Sequence, residues 1–235
     1  MDLTPRLKAI ADSIIHCHLV ADIGSDHAHL PIYLLQRGRT EKAIATDINI
    51  GPAKISKERI KHHGLLDFID VRVGYGLQVL NKDEADVIVI SGMGGLLIID
   101  ILSKGIQIGR TAEKLILQPM RDNFLLRKWL IENSFEISDV ELVKEEDRFY
   151  EIIWALPSDL VDSSQDINYI DDKLLEKKSL VLFEYIESQL DKYRMIAEKL
   201  KVYDTPNAIR RQEECIELIG YYEEVKSWLQ LNAEW

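Results

Sequence analysis

At 235 residues, 46% of them hydrophobic and 29% charged, the chain is long enough for one well-packed domain with an appendage. A net charge of −11 argues against a uniformly basic nucleic-acid binder, and the two distant cysteines, Cys17 and Cys215, exclude a disulfide framework or zinc knuckle. No opening stretch resembles a signal peptide and no apolar run approaches the roughly 20 residues of a membrane helix, so a cytoplasmic protein with no membrane partner is expected. The charge is uneven, however. Residues 1–64 are slightly basic and hold all 6 histidines, whereas 65–170 and 202–235 are acidic, so the mean can hide a local basic face.

Thr4-Pro5 reads as a cap followed by proline at the first helical position, opening a helix through about Ile15. "HLVADIG" is a buried strand, and "PIYLLQRG" a helix with Pro31 in its first turn and Gly38 past its end. "KAIATDIN" is the next strand, and "GPAKISKERIKHHG" repeats the punctuation, with Pro52 opening a helix and Gly64 closing it. The alternation continues through the strand "FIDVRVG", the brief helix "GLQVLN", the strand "ADVIVISG", the helix "GLLIIDILSKG", the strand "KLILQP" and the helix "NFLLRKWLIENS". "ISDVELVKEEDRFYEIIWAL" gives two strands joined by a charged turn. Continuous apolar strands alternating with helices predict an α/β fold whose parallel sheet is covered on both faces, with the closing hairpin antiparallel at one edge.

After Pro157 the character changes. "SDLVDSSQDIN" is a polar linker, followed by two helical patterns separated around "YDTPN". Leu175, Leu182, Ile186, Tyr193, Ile196 and Leu200 form one apolar stripe, and Cys215, Leu218, Tyr222, Val225 and Leu229 a second. Thr205-Pro206 opens the second helix. The charge away from each stripe favours an extended antiparallel helical hairpin over helices laid flat on the sheet. Two domains are therefore expected, 1–160 and 161–235.

In an open α/β sheet a ligand sits at the carboxyl ends of the strands. The first strand ends at Asp22-Ile23-Gly24 and the second at Asp47. Gly24 permits a tight turn, and an acid at the end of the second strand can accept from both hydroxyls of an adenosine ribose. Dinucleotide and S-adenosylmethionine sites share that pairing. A dinucleotide loop requires G-x-G-x-x-G, but the later glycine positions hold Asp26 and His29. A carboxylate repels a pyrophosphate and suits a sulfonium cation. The closing hairpin points the same way, and S-adenosylmethionine is the expected cofactor. A metal held by Asp22, Asp26, His27 and His29 is the weaker reading, because the acids straddle a tight turn and the histidines diverge as the helix begins. No metal is expected. Purely structural histidines are the other alternative.

"ADIGSDHAHLP", "AIATDINIGPA", "VGYGLQVL", "VISGMGGLLI" and "LILQP" together resemble the bacterial tRNA (adenine-N1)-methyltransferase family that modifies position 22 of tRNA. The leading "LTPRLKAIA" and the helical pair match its layout, so the resemblance covers nearly the whole chain. It implies a seven-stranded, Rossmann-like catalytic domain, S-adenosylmethionine as methyl donor, and a coiled-coil tail that helps hold tRNA. By position, Asp22, Gly24 and Ser25 would contact the methionine end and Asp47, with Ile48 beside it, the ribose. Gly74, Tyr75 and Gly76 would lie at the adenine, with Ser91 and Gly92 completing the cofactor site. Tyr75 stands where the family carries an acid, and offers a ring to stack on the adenine instead.

Adenine N1 already has a lone pair, so methylation needs in-line placement and charge management. The product ring is cationic unless the exocyclic amine loses a proton, which Asp26 or His27 at the pocket rim can accept. Capping of the following helix is the alternative for Asp26. In "SGMGG", residues 91–95, the glycines permit close approach and Met93 can pack on the target base. Gln118-Pro119 can offer an amide to the base edge. Lys54, Lys57 and Lys61, with Arg59 nearby, either meet RNA phosphates or form a solvated helix face. Expected partners are tRNA and no DNA, with the protein a monomer or weak dimer. The rival readings are methylation of a small molecule or protein, and a non-catalytic nucleotide-sensing adaptor.

Overall fold

The computed structural model describes residues 2–161 and 167–232; the middle of the polar linker, 162–166, lies outside them. Residues up to Tyr169 form one compact unit, and Ile170 begins a second.

In the first unit, α1 (Pro5–Ser13) opens at Thr4, whose hydroxyl accepts from the Leu7 N–H. It stops at Ser13, short of Ile15, where Ile14 turns into an extended conformation and Trp154 donates its ring N–H to the Ser13 hydroxyl. Then follow β1 (Cys17–Ile23), α2 (His29–Gln36), β2 (Thr40–Asp47), α3 (Ile50–His62), β3 (Ile69–Val73), a 3-10 turn (Gly76–Val79), β4 (Val87–Met93) and α4 (Gly95–Lys104). The short α5 (Ile106–Gly109), β5 (Lys114–Pro119), α6 (Asn123–Glu132), β6 (Phe135–Glu145) and β7 (Arg148–Pro157) complete it.

One seven-stranded sheet runs in the order β3-β2-β1-β4-β5-β7-β6. β1 through β5 pair in parallel, and β7 runs antiparallel to both β5 and β6. This is the mostly parallel sheet with an antiparallel edge hairpin that the alternation predicts, in the Rossmann-like form that the resemblance implies. The order within the hairpin follows from burial. Tyr150 through Ala155 of β7 are continuously buried, which suits a strand between two neighbours, whereas β6 alternates buried with exposed positions, as an edge strand does. One face of the core joins Ile10 of α1, Ile14 just past its end, and Leu30 and Leu34 of α2 to Val20, Val89, Ile116 and Trp154 of the sheet. Arg127 of α6 and Glu151 of β7 form an ion pair, both nearly without solvent exposure.

The second unit holds α7 (Asp172–Lys177), α8 (Leu180–Leu200) and α9 (Pro206–Asn232). The first stripe was expected to be one helix, but Lys178 takes a left-handed conformation (φ 44°) and Ser179 caps a new start by accepting from the Leu182 N–H. Leu174 rather than Leu175, and Ala197 rather than Ile196, are the buried positions. The Thr205 hydroxyl accepts from the Ala208 N–H and starts α9. Arg194 pairs with Glu223 at 2.6 Å and Lys226 with Glu187 at 3.0 Å, while Tyr193 stacks on Tyr222, so α8 and α9 are antiparallel. No helix among the described residues is long and apolar enough to cross a membrane.

Candidate active site

β1 and β4 are neighbours at the point where the order of parallel strands reverses, and the loops leaving such a point part to open a crevice. There the carboxyl ends of β1, β2 and β4 line a cleft of about 670 Å³. Its walls include all ten residues expected at the cofactor: Asp22, Gly24, Ser25, Asp47, Ile48, Gly74, Tyr75, Gly76, Ser91 and Gly92. Asp26 and Met93 line it too; His27 is not among the lining residues.

At the head of β1 the Asp22 carboxylate is buried and accepts a 2.6 Å hydrogen bond from the Ser25 hydroxyl. Burial pushes its pKa up to about 6, against the opposing pull of that bond. Gly24 has φ of 71°, a conformation that disfavours any residue with a Cβ, and the Met93 methyl group lies where that Cβ would project. The Gly24 N–H donates to the Thr46 hydroxyl (3.2 Å) and the Ser25 N–H to the Thr46 carbonyl (2.8 Å), so the turn is tied to β2. The Asp47 carboxylate accepts from the Asn49 N–H at 2.8 Å through one oxygen, Oδ1.

The turn continues through three consecutive non-glycine residues in left-handed or near-left-handed conformations: Asp26, His27 and Ala28, with φ of 33°, 70° and 57°. Each costs roughly 1–2 kcal/mol, and such strain clusters at functional sites. Asp26 does not cap α2; the cap position is Ala28, which makes no side-chain bond. The Asp26 side chain is 84% exposed, with His27 Nε2 3.3 Å from its Oδ1, while His27 Nδ1 is buried without a hydrogen-bond partner. A bare ring nitrogen is cheaper to bury than an unpaired N–H, which favours the tautomer whose Nε2–H points at Asp26. The His29 ring instead contacts the Arg59 guanidinium. Burial, and secondly Arg59, hold its pKa below the ordinary imidazole value. Arg59 is thus turned away from the exposed row of Lys54, Lys57 and Lys61. Among the described residues no group of three or more His, Cys, Asp or Glu is placed to hold a metal ion.

After β3 the Tyr75 hydroxyl donates to Asp100 of α4, and Lys104 reaches the same carboxylate at 2.8 Å while its ammonium lies 4.8 Å from the centre of the Tyr75 ring. The bond to Asp100 raises the Tyr75 pKa, and Lys104, then Tyr75, hold Asp100 below the ordinary carboxylate range. An acid therefore does stand near the expected adenine position, supplied by α4 and engaged through the tyrosine.

Gln118 is completely buried and does not offer its amide to a ligand. Its oxygen accepts from Arg6 Nη1 (2.6 Å) and from the Gly92 N–H (2.9 Å), and its amide nitrogen donates to the Pro119 carbonyl (2.8 Å). Arg6, with Thr4 and Leu7 of α1, lines the cleft. Arg6, Leu7 and Thr46 lie in stretches that carry the resemblance, but nothing in their spacing assigned them to the site, and Asp100 lies in none of those stretches.

The cleft's size lies within the range of small-molecule sites. A buried acid, a second acid with one oxygen engaged, and an arginine whose Nε is buried without a partner are a donor and acceptor set that fits S-adenosylmethionine. A family description, a methyltransferase domain, matches residues 3–153. The tRNA (adenine(22)-N(1))-methyltransferase of Bacillus subtilis is 39% identical over 159 residues, covering 68% of this chain and 67% of that protein. The crystal structure of the B. subtilis m1A22 tRNA methyltransferase matches with a TM-score of 0.84 at 31% identity, over 96% of this chain and 99% of the other. A Streptococcus pneumoniae structure assigned the same activity and solved with S-adenosyl-L-methionine matches with a TM-score of 0.80 at 30% identity, over 96% and 100%.

Proposed function

The chain belongs to the bacterial tRNA (adenine(22)-N1)-methyltransferase family, and on that footing we propose how its residues divide the work of methylating N1 of adenine in tRNA. The observation that carries the reading is the buried Asp22 carboxylate beside Gly24, lining the same cleft as Asp47 at the end of the neighbouring strand. S-adenosylmethionine, when bound, supplies a methyl group activated on a sulfonium. Asp22 and Ser25 hold its ammonium end, and Gly24 lets the backbone approach. Asp47, beside Ile48, accepts from the ribose. Tyr75, held by Asp100 and flanked by Gly74 and Gly76, lies along the adenine. Ser91 and Gly92 line the remaining wall.

The target N1 brings its own lone pair, so the protein's task is placement and charge. Met93 packs against the target ring. Asp26 stabilises the positive charge that develops there and accepts the exocyclic proton, while His27 Nε2–H orients the Asp26 carboxylate without touching the base. The strained turn through Asp26, His27 and Ala28 holds that carboxylate at the rim. No step calls for a metal.

The catalytic domain spans 1–160 in this proposal, and the helical hairpin of 161–235 contacts tRNA. Lys192 and Lys199 stay exposed and suit phosphates, whereas Arg194 is engaged by Glu223 and Lys201 by Glu198. The protein acts in the cytoplasm as a monomer or weak dimer, without DNA or membrane partners. The test is methyl transfer to bulk tRNA from a strain lacking this activity, followed by nucleoside mass analysis. N1-methyladenosine should accumulate at position 22; methylation of protein or small molecules alone, or none, overturns the reading.

A further inference from the structure

N1 of adenine lies on the pairing edge of the base, so the target must leave its stack before that atom can enter a cleft. The nucleotide beside it then lacks a stacking partner, and a surface that replaces the partner belongs at the rim of the cleft. The carboxyl ends of β4 and β5 carry such a surface, which the mechanism above leaves unused. Resting on the tRNA-methylation reading, we propose that Arg121, with Leu96 and Met120 beside it, is a stacking platform for the nucleotide that adjoins the target adenine.

Two loops are bound together there. The Met120 N–H donates to the Met93 carbonyl at 2.7 Å, and the Gly95 N–H donates to the Arg121 carbonyl at 2.9 Å. A Cβ on Gly95 would stand 2.7 Å from the Asp122 carbonyl oxygen and 2.8 Å from that of Arg121, so glycine lets the loops close this far. Met93 and Leu97 line the cleft itself, while Leu96, Leu97 and Met120 are all exposed. Single exposed apolar side chains are ordinary, but three on two joined loops at the mouth of a cleft mark a contact surface.

Arg121 supplies a plane. Its side chain is 81% exposed, and its Nε, Nη2 and Cγ atoms lie 3.3, 3.8 and 3.9 Å from where a Cβ on Gly94 would project. The side chain therefore runs along bare backbone. Among the described residues its one ion pair is with Asp122, 3.6 Å from Nε and beyond hydrogen-bond reach. A guanidinium plane stacks on a nucleobase as an aromatic ring does, and a lysine ammonium does not. A cation over the target ring would oppose the positive charge that develops on N1. The same plane suits the neighbouring base.

The test pairs variants of the full chain with tRNA transcripts that carry an abasic nucleotide on one side or the other of the target adenine. Arg121→Ala should weaken tRNA binding about 10-fold, the loss expected for one stacked base. Its single-turnover rate at saturating tRNA and its S-adenosylhomocysteine affinity should stay within about threefold of the unaltered protein. Arg121→Lys should remain weakened, Arg121→Tyr should recover most of the affinity, and Leu96→Ser should lose about threefold. One of the two abasic transcripts should bind the unaltered protein about 10-fold more weakly than the intact one, and Arg121→Ala should add little to that loss, since both changes remove one contact. Full rescue by lysine, as for a phosphate contact, additive losses with both transcripts, or unchanged tRNA affinity would each overturn the proposal. So would a dimer that Leu96→Ser dissociates without any change in tRNA affinity, which would assign the patch to a second copy of the chain. Failure of the unaltered protein to methylate the intact transcript would instead overturn the functional reading.

Discussion

Ser25 donates a 2.6 Å hydrogen bond to Asp22, and the two lie buried together at the head of β1 with a carboxylate whose pKa is pushed up to about 6. The bond alone does not offset the desolvation.

That elevation fixes a pH dependence. The folded protein binds the Asp22 proton more tightly than the unfolded chain, whose value is near 3.8, so the associated stability is lost as pH rises from about 4 through about 6. Asp22→Asn keeps an acceptor for Ser25 and removes the buried charge. The ligand-free variant should be more stable at pH 7 by about 2–3 kcal/mol, with the difference vanishing near pH 4. Affinity of the unaltered protein for S-adenosylhomocysteine should climb to about pH 6 and level off, and the variant should bind poorly throughout. Denaturant unfolding and calorimetry read both; a stability difference that does not change with pH would refute the assignment.

Asp26→Asn should lower single-turnover methyl transfer about 100-fold while changing S-adenosylhomocysteine affinity less than about twofold, because the charge matters as the base becomes cationic. Unchanged turnover would reduce Asp26 to a loop residue.

For Tyr75, the ring rather than the hydroxyl should matter. Tyr75→Phe should bind S-adenosylhomocysteine within about threefold of the unaltered protein, and Tyr75→Ala about tenfold more weakly, as expected for loss of a stacked aromatic contact. Equal effects of the two substitutions would point to the bond with Asp100 instead.

Arg127 and Glu151 are both buried, and Asn123 donates to the second Glu151 oxygen at 3.0 Å. Arg127→Ala should destabilise by about 3–5 kcal/mol, since it strands a buried carboxylate, while replacing both partners with leucine or methionine should cost much less. Thermal unfolding of the single and double variants distinguishes these outcomes.

A chain ending at Tyr169 should bind S-adenosylhomocysteine like the full chain, because every described residue lining the cleft precedes that point. It should methylate tRNA poorly, most visibly as salt is raised. Methylation at the full rate would assign the helical unit to stability or assembly.

The parallel core and the centre of the site were legible in the sequence. Apolar runs alternating with helices, each punctuated by Pro and Gly, leave few other solutions than a covered parallel sheet, and strand ends mark where a ligand sits. Asp22, Gly24 and Asp47 stood out because each answers a local demand: a tight turn, or an acid at the end of a strand. What only the tertiary structure decided depends on contacts that no periodicity encodes. Arg6 meets Gln118 across 112 residues, and Asp100 captures Tyr75 from another element. Lys178 breaks a stripe that looked continuous, because any residue can adopt a left-handed conformation when its surroundings impose it, while only glycine advertises one in the sequence. The same holds for Asp26, His27 and Ala28. No residue type in that stretch announces the turn, which is tied to β2 through Gly24 and Ser25.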